Sequence, residues 1–177
     1  SDNPDPRARD YRKPTRLVAP SARWNHWRLT TVQNGKVYVV HDNILDEVEP
    51  YNWNFRPAPG QDWDAVAGMG AMNGKLYLVK AASLLEIDPA SWTIRTDPSP
   101  QWGGTSLVMA TGNYVYIARE NHLYRVNPAD WSYRTIDSGP VQALYDWRDT
   151  PYCMLNDRQY RIEPDLSLVC IGNRDPS

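Results

Sequence analysis

The sequence predicts an all-β domain made of four copies of one four-stranded unit. Tyr38, Tyr77 and Tyr116 are separated by intervals of 39 residues, and a fixed period of about 20 to 50 residues indicates an array of like units. Four further series keep this interval: Pro50, Pro89 and Pro128; Trp53, Trp92 and Trp131; Arg56, Arg95 and Arg134; and Trp24, Trp63 and Trp102. No segment of useful length shows the periodicity of a helix, so we expect almost no helical structure.

The first two strands of each copy are predicted to form a hairpin. The second strands span 37–40, 76–79 and 115–118. They are apolar at successive positions, which predicts burial on both faces of the sheet. Asn34-Gly35 and Asn73-Gly74 precede two of them, and Asn-Gly is the strongest short hairpin signal. Gly112-Asn113 takes the same place in the third copy.

The third strand of each copy alternates instead. Leu85 and Ile87 share one face while Glu86 points to the other. In the first copy, Asp46 and Val48 correspond to Leu85 and Ile87. A proline ends each third strand, because proline sets a turn and cannot extend the ladder. These prolines are Pro50, Pro89, Pro128 and Pro164. The fourth strand follows and carries the recurring arginine.

The fourth copy departs from the plan. Pro164 follows Pro128 by 36 residues, and Ser167 stands where the recurring Trp is expected. Atypical terminal repeats are normal, because they cap or close an array. Four-stranded units in radial repetition suit a four-bladed β-propeller, with blades at about 24–60, 61–100, 101–139 and 140–173. A linear solenoid is the alternative, but it would not confine the buried runs to one inner strand per unit.

The third-strand turns resemble the kelch type of propeller repeat. The segments Ile87–Trp92 and Val126–Trp131 carry this resemblance, which covers roughly residues 24 to 171. The Gly-Gly pair expected after the second strand is absent, and the repeat is shorter than the kelch unit of about 50 residues. The resemblance implies a binding platform, and it carries over no catalytic residue.

Residues 1–23 are predicted to form an extended arm that is rich in proline and basic residues. Six basic residues and three aspartates give it a net charge of about +3, against about −5 for the rest of a chain whose net charge is −2. We expect the arm to pack across the acidic body, and a basic docking arm is the alternative. The overall charge argues against nucleic acid as a partner. No apolar run is long enough for membrane insertion.

Two cysteines and three histidines offer no recognisable reactive centre. Cys153 and Cys170 fall on the second and fourth strands of the last copy, about 10 Å apart with one strand between them, which predicts free and buried thiols. An irregular last copy would instead allow a disulfide and favour an oxidising compartment. His41 and His122 are expected to be exposed near turns. Zinc spacings, phosphate-binding loops and nucleophile elbows are missing, so we expect no metal, no cofactor and no enzymatic activity.

These observations predict a non-enzymatic binding module that engages a protein partner through a rim rich in Trp, Asp and Arg. Loops on a rigid scaffold concentrate binding residues, and Trp and Arg are enriched in hot spots. Inhibition or neutralisation of the partner is one form of this function, and we favour an extracytoplasmic location. The candidate residues, which stand before or in the innermost strands, are Trp24, His26, Trp27, Arg28, Asp62, Trp63, Asp64, Trp102, Tyr145, Asp146, Trp147 and Arg148.

The recurring arginines leave alternatives open. Arg56, Arg95 and Arg134 follow a recurring Trp by three residues, and a repeated structural task would be to lock each blade to its neighbour. Repeated Trp and Arg sites would instead suit a glycan-binding lectin, because sugar rings stack on aromatic faces. An enzyme is a third reading, since propellers host active sites at the axis and a fold does not decide function.

Overall fold

The chain folds into four antiparallel four-stranded sheets, which confirms the predicted all-β fold with four propeller blades. A computed structural model describes residues 22–60 and 62–173. A 3₁₀ turn at Ala22–Trp24 precedes the first sheet. Blade 1 contains β1 (Trp27–Gln33), β2 (Lys36–His41), β3 (Ile44–Val48) and β4 (Phe55–Pro57); blade 2 contains β5 (Val66–Met72), β6 (Lys75–Lys80), β7 (Ser83–Asp88) and β8 (Thr93–Thr96). Blade 3 contains β9 (Thr105–Thr111), β10 (Tyr114–Arg119), β11 (His122–Val126) and β12 (Tyr133–Ile136); blade 4 contains β13 (Ala143–Trp147), β14 (Thr150–Leu155), β15 (Arg158–Ile162) and β16 (Leu168–Asn173).

The hairpins form where the Asn-Gly signals predict them. Asn34 and Asn73 have φ angles of 52° and 53°, and each is followed by a glycine that also has a positive φ. Two central residues with positive φ are what a tight hairpin turn requires, and Asn and Gly adopt this conformation at the lowest cost. Gly112 and Asn113 supply the same pair of conformations between β9 and β10.

Three hydrophobic cores lie between consecutive blades. We call the sheet face turned toward the next blade the trailing face, and the face turned toward the preceding blade the leading face. Between blades 2 and 3, the trailing residues Tyr77 and Val79 share a core with the leading residues Val115, Ile117 and Val126. Equivalent cores join blade 1 to blade 2 and blade 3 to blade 4. The second strands are therefore buried on both faces, as the sequence predicts.

The recurring arginines tie blades together. Arg56 donates to the Pro89 carbonyl of the next blade at 3.1 Å, and its guanidinium lies 5.4 Å from the Trp92 ring centre. Arg95 repeats these contacts with Pro128 and Trp131. The predicted locking role is confirmed for these two residues. At the third junction a different arginine makes the corresponding contact: Arg125 donates to the Pro164 carbonyl at 2.9 Å.

The blades form an arc whose ends do not share a core. The inner strands pack in the order β1, β5, β9 and β13, and among the described residues β13 makes no comparable packing contact with β1. The three hydrophobic clusters of this part of the chain all lie between consecutive blades. The trailing face of blade 4 and the leading face of blade 1 are thus the two end faces of the arc.

His41 is buried, contrary to the prediction that it is exposed. Only 1% of its surface is accessible, and its Nε2 lies 2.7 Å from Oδ2 of Asp46. Asp46 is also buried, and it accepts hydrogen bonds from Arg23 Nε at 2.7 Å and Trp24 Nε1 at 2.9 Å. Although burial alone would raise the pKa of Asp46, these three partners hold it below its ordinary value.

One expectation about the fourth copy needs correction. Leu166, not Ser167, takes the place of the recurring Trp: it has a φ of 72°, close to the 64° of Trp131, and it is buried. The turn is one residue shorter, because the Leu166 amide bonds to Glu163 three residues back, whereas the Trp131 amide bonds to Asn127 four residues back.

Both cysteines are free, as predicted, but only one is buried. Cys153 lies on β14, where burial raises the pKa of its thiol to about 11. Cys170 lies on β16 and is exposed. None of the helical structure in the described ranges is long enough to span a membrane. The predicted packing of the arm concerns residues of which 1–21 lie outside the described part of the chain.

Candidate functional site

The candidate residues do not form one continuous rim. The inner strands all begin at one end of the propeller and finish at the other, because the blades repeat one antiparallel plan around the axis. We call the first end the start rim, and its exposed candidates are His26, Trp27, Arg28, Asp62 and Asp64. Tyr145, Asp146 and Trp147 belong to β13 itself, and Arg148 lies in the turn that follows it. These last four residues therefore lie toward the opposite end.

Three of the candidate tryptophans are structural. Trp63 is 4% exposed and Trp102 is 1% exposed, and both belong to the cores between blades. Trp102 Nε1 donates to Asp97 of the preceding blade at 3.1 Å, while its ring lies 5.2 Å from that of Tyr124 in its own blade. Trp24 is half-buried and donates to Asp46. Trp63 and Trp102 therefore hold blades together, Trp24 packs on its own blade, and all three offer little surface to a partner.

Arg28 on the start rim joins two blades. Its guanidinium donates to the carbonyls of Trp63 at 3.1 Å, Asp64 at 3.0 Å and Val66 at 3.1 Å. The chain of blade 2 is therefore held by the inner strand of blade 1 at the point where β5 begins. Trp27 remains 58% exposed beside this clamp.

The finishing end of the inner strands holds a polar cavity that we call the axial mouth. It has a volume of about 320 Å³ and is lined by residues from all four blades, among them Gln33, Asn73, Asn113, Asp146 and Asp149. Each of these residues lies at the end of an inner strand or in the turn that follows it. The hairpin turns thus place side-chain amides and carboxylates around one opening.

Hydrogen bonds between blades fix the side chains of the axial mouth. Asn73 Nδ2 donates to Asn113 Oδ1 at 2.7 Å, and the Gly74 amide donates to Gln33 Oε1 at 2.8 Å. Thr111 Oγ1 donates to Asp146 Oδ2 at 3.3 Å. These bonds cross all three blade junctions, so the opening is preorganised by the scaffold.

Below the mouth, the inner strands line a channel of about 500 Å³. Its walls come from Thr30 and Thr31 of blade 1, Gly70 of blade 2, Met109 of blade 3 and Leu144 of blade 4. Glycine is required on β5, because a Cβ atom at Gly70 would lie 2.7 Å from the backbone nitrogen of Ala110. The close approach of β5 and β9 therefore sets the width of the channel on that side.

An exposed aromatic residue stands beside the axial mouth. Trp147 ends β13 with 62% of its surface accessible, and the Arg148 guanidinium lies 5.2 Å from its ring centre. Tyr145, two residues earlier, stacks on Tyr152 with ring centres 5.3 Å apart. Burial raises the pKa of the Tyr145 hydroxyl, which donates to Gln159 Oε1 at 2.7 Å. The mouth therefore combines amides with two carboxylates, and the exposed indole of Trp147 lies next to it in the chain, on the other face of β13 from Asp146.

Sequence reasoning missed the amides of the axial mouth. Gln33, Asn73 and Asn113 lie near the ends of the first three inner strands, but the pairs Asn73-Gly74 and Gly112-Asn113 were sufficient to explain two of these positions as turns. The available signal was positional: turns that follow the inner strands of a propeller must surround its axis. Asp149 carries the same signal at the equivalent turn of blade 4.

Comparison with solved structures shows the propeller fold. The chain superposes on the streptogramin B lyase structure with a TM-score of 0.66 and 12% identity, covering 85% of this chain and 55% of the lyase. It matches the WD40 domain of Neurospora crassa Pan2 with a TM-score of 0.63 and 10% identity, covering 84% and 52%. It matches YCF48 bound to D1 peptide with a TM-score of 0.57 and 14% identity, covering 88% and 59%.

These similarities define the fold and no finer class. Neither a protein-family model nor a curated protein sequence matches the chain, so the kelch type in particular is not shown. The chain spans about half the length of the lyase structure that it matches. The matched propellers differ in what their names describe, since one is a lyase and another a WD40 domain.

Proposed function

We propose that this chain is a non-enzymatic binding module that receives an extended segment of a protein partner at the axial mouth and against Trp147. The observation that carries the proposal is the convergence of turns from all four blades on one polar cavity, next to an indole that is 62% exposed. Preformed concave sites that combine apolar surface with a few convergent polar groups are the usual form of a binding site, and Trp147 supplies the apolar part here.

The side chains of the mouth suit a peptide backbone. Asn and Gln amides both donate and accept hydrogen bonds, so Gln33, Asn73 and Asn113 can satisfy the amide and carbonyl groups of an extended chain. Trp147 supplies the apolar contact, since Trp is enriched among the residues that contribute most to binding energy. A partner segment would lie along the mouth and pack one side chain on the indole.

The charges of the mouth favour a basic segment. Asp146 and Asp149 are exposed carboxylates at the opening. Arg148 is turned onto the Trp147 ring and leaves the opening with an excess of negative charge. A Lys or Arg side chain of the partner would therefore pair with Asp146 or Asp149, and binding would weaken as salt is added. Inhibition would follow where the captured segment belongs to the partner's own functional site.

Two matched folds support partner binding as a use of this architecture. One is described as YCF48 bound to D1 peptide, and another as the nidogen/laminin complex, which the chain matches with a TM-score of 0.54 at 16% identity. Repeated glycan sites receive less support, because Arg56 and Arg95 already contact the next blade. The proposal includes no catalytic step.

Selection of peptides from a random display library on the folded chain tests the proposal. Selected peptides should be enriched in Lys or Arg and bind with a 1:1 stoichiometry in calorimetry. Trp147→Ala should weaken their binding at least tenfold, and Asp149→Asn should reduce its salt dependence. Trp27→Ala is the matched control, because Trp27 is equally exposed but lies on the start rim.

Two results would contradict the proposal. Peptides that bind the Trp147→Ala variant as tightly as the unmodified chain would remove the axial mouth from the site. Failure to select any peptide, together with binding of immobilised sugars at several near-equal sites, would favour the lectin alternative.

A further inference from the structure

The trailing face of blade 4 is built like the faces that are buried at the three junctions. Tyr116 and Tyr152 hold the same place in blades 3 and 4, because each pairs with an arginine of the neighbouring third strand. Tyr116 is 4% exposed, whereas Tyr152 is half-buried. Met154 is likewise half-buried at the place of Ala118, which is fully enclosed. This end face carries apolar side chains that no blade within residues 22–60 and 62–173 covers as fully.

The leading face of blade 1 shows the complementary feature. Trp24 lies over its own blade with its ring 5.7 Å from that of Phe55, as Trp102 lies 5.5 Å from Tyr133. Trp102 is almost fully buried because blade 2 covers its other side. Among the residues that the structure describes, no blade covers the other side of Trp24, which is half-buried. Arg23 and Trp24 cover the middle of this face, and Val37 at its inner part is half-buried where Leu76 and Val115 are fully enclosed.

The donor and the acceptor for a fourth contact between an arginine and a proline carbonyl also lie on these end faces. Arg125 donates to the Pro164 carbonyl across the third junction. The equivalent of Arg125 in blade 4 is Arg161, whose side chain is 40% exposed and contacts Glu163 of its own blade at 2.7 Å. The equivalent of Pro164 in blade 1 is Pro50, from the recurring proline series. The donor therefore stands at one end of the arc and the acceptor at the other.

The size of the arc fits half of a ring. More than four-fifths of this chain superposes on between 52% and 59% of three longer propellers. Contacts between blades are heterologous, and two heterologous contacts related by a two-fold axis close into a ring. Two arcs of four blades give eight, which is within the usual range for propellers.

We propose that two copies of this chain assemble head to tail, with the trailing face of blade 4 in each copy packed on the leading face of blade 1 in the other. The second copy continues the pattern of the three existing junctions: it covers Trp24 and Tyr152 and places Arg161 near the Pro50 carbonyl. The second copy would also cover Trp147, which lies two residues after Tyr145 on the same face of β13, so the assembly and a partner bound to this indole compete for the same surface.

Light scattering coupled to size-exclusion chromatography of the full chain tests the assembly. The molar mass expected at micromolar concentration is twice the 20.3 kDa of one chain. Met154→Glu on blade 4 and Val37→Glu on blade 1 should each halve this mass, because each substitution alters both junctions of the ring. Ile94→Glu is the matched control, since Ile94 is an exposed apolar residue of blade 2 away from both end faces.

Further variants keep the test independent of folding defects. Arg161→Glu changes a partly exposed side chain outside the cores, and it should also give single chains with an unchanged circular dichroism spectrum. An equimolar mixture of the Met154→Glu and Val37→Glu variants should recover dimers, because one junction between unlike chains is intact.

A mass of one chain for the unmodified protein would overturn the proposal, whether residues 1–21 or another part of the same chain cover the end faces. A dimer that Met154→Glu disrupts and Val37→Glu leaves intact would also overturn it, since the contact would then join two trailing faces.

Discussion

Replacing Gly70 by alanine perturbs a close contact between the backbones of the inner strands β5 and β9. A Cβ atom at this position would lie 2.7 Å from the backbone nitrogen of Ala110, and 3.1 Å and 3.2 Å from the carbonyl carbon and Cα of Met109. All three neighbours are backbone atoms, so no side chain can rotate away. β5 and β9 would have to separate by about 0.7 Å before this contact reached the ordinary range that begins at 3.4 Å.

The cost follows from overpacking in a closely packed structure. Forcing additional carbon into such a site destabilises proteins by about 1 to 3 kcal/mol. Alanine offsets part of this cost, because it restricts the unfolded chain by about 0.4 to 1 kcal/mol relative to glycine. We therefore expect a net loss of about 1 to 2 kcal/mol. For a chain of this length that corresponds to a decrease in melting temperature of about 2 to 8 °C.

Urea denaturation followed by tryptophan fluorescence measures this loss as a shift of the midpoint at constant slope. Gly172→Ala in β16 is the matched control, because a Cβ atom there meets no atom within 4 Å and its φ is not positive. The control should be neutral or slightly stabilising. A Gly70→Ala variant as stable as the control would refute the argument that β5 and β9 depend on a glycine at their contact.

Three further predictions concern single side chains. Arg95→Met should destabilise the fold by about 1 to 2 kcal/mol because it removes the contact with the next blade, while the exposed Arg134→Met should change the unfolding midpoint little. The folded pKa of Asp46 is lowered, so its contribution to stability is present above its unfolded pKa of about 3.9 and is lost as pH falls through the folded pKa; the stability difference between the native chain and Asp46→Asn, measured by urea titration, should therefore shrink below about pH 4. A thiol reagent at pH 8 should modify one cysteine per native chain, the exposed Cys170, and reach the buried Cys153 only after unfolding; equal rates for both thiols would contradict this.

The fold could be predicted because the same local sequence signals recur in each copy of the repeat. Hairpin turns, buried second strands and proline-terminated third strands each depend on local chemistry, and each copy confirms the others. His41 was placed wrongly because it lies beside the turn after a second strand, a position where its equivalents Lys80 and Arg119 are indeed only partly buried. Its burial depends on Asp46, which stands on an apolar face where the next blade has Leu85. An aspartate among apolar residues on a buried face was the signal in the sequence, because its carboxylate needs a hydrogen-bonding side chain buried beside it.

The binding site was less predictable because the repeat is shortened in blade 4. With a spacing of 36 instead of 39 residues, Tyr145 and Trp147 correspond to Met109 and Thr111 near the end of the inner strand, and not to Ser106 and Val108 near its beginning. Candidates that looked equivalent in sequence therefore lie at opposite ends of the propeller. Trp63 and Trp102 are buried because a neighbouring blade packs against their rings. The sequence alone does not show whether a recurring Trp points toward a neighbouring blade or toward solvent.

The end face of blade 4 differs from the internal trailing faces in one further respect that bears on assembly. Leu45, Leu84 and Leu123 occupy one row of the internal trailing faces and are fully buried, and Gln159 takes their place in blade 4. Its side-chain oxygen accepts a hydrogen bond from the Tyr145 hydroxyl of the same blade, so the polar group stays satisfied with or without a neighbour. A leucine there would need a covering blade to avoid water. We therefore expect the contact between copies to be weaker than a junction within the chain, so that dilution separates the copies while each arc remains folded. Loss of β-structure in step with dissociation, measured by circular dichroism across a dilution series, would contradict this.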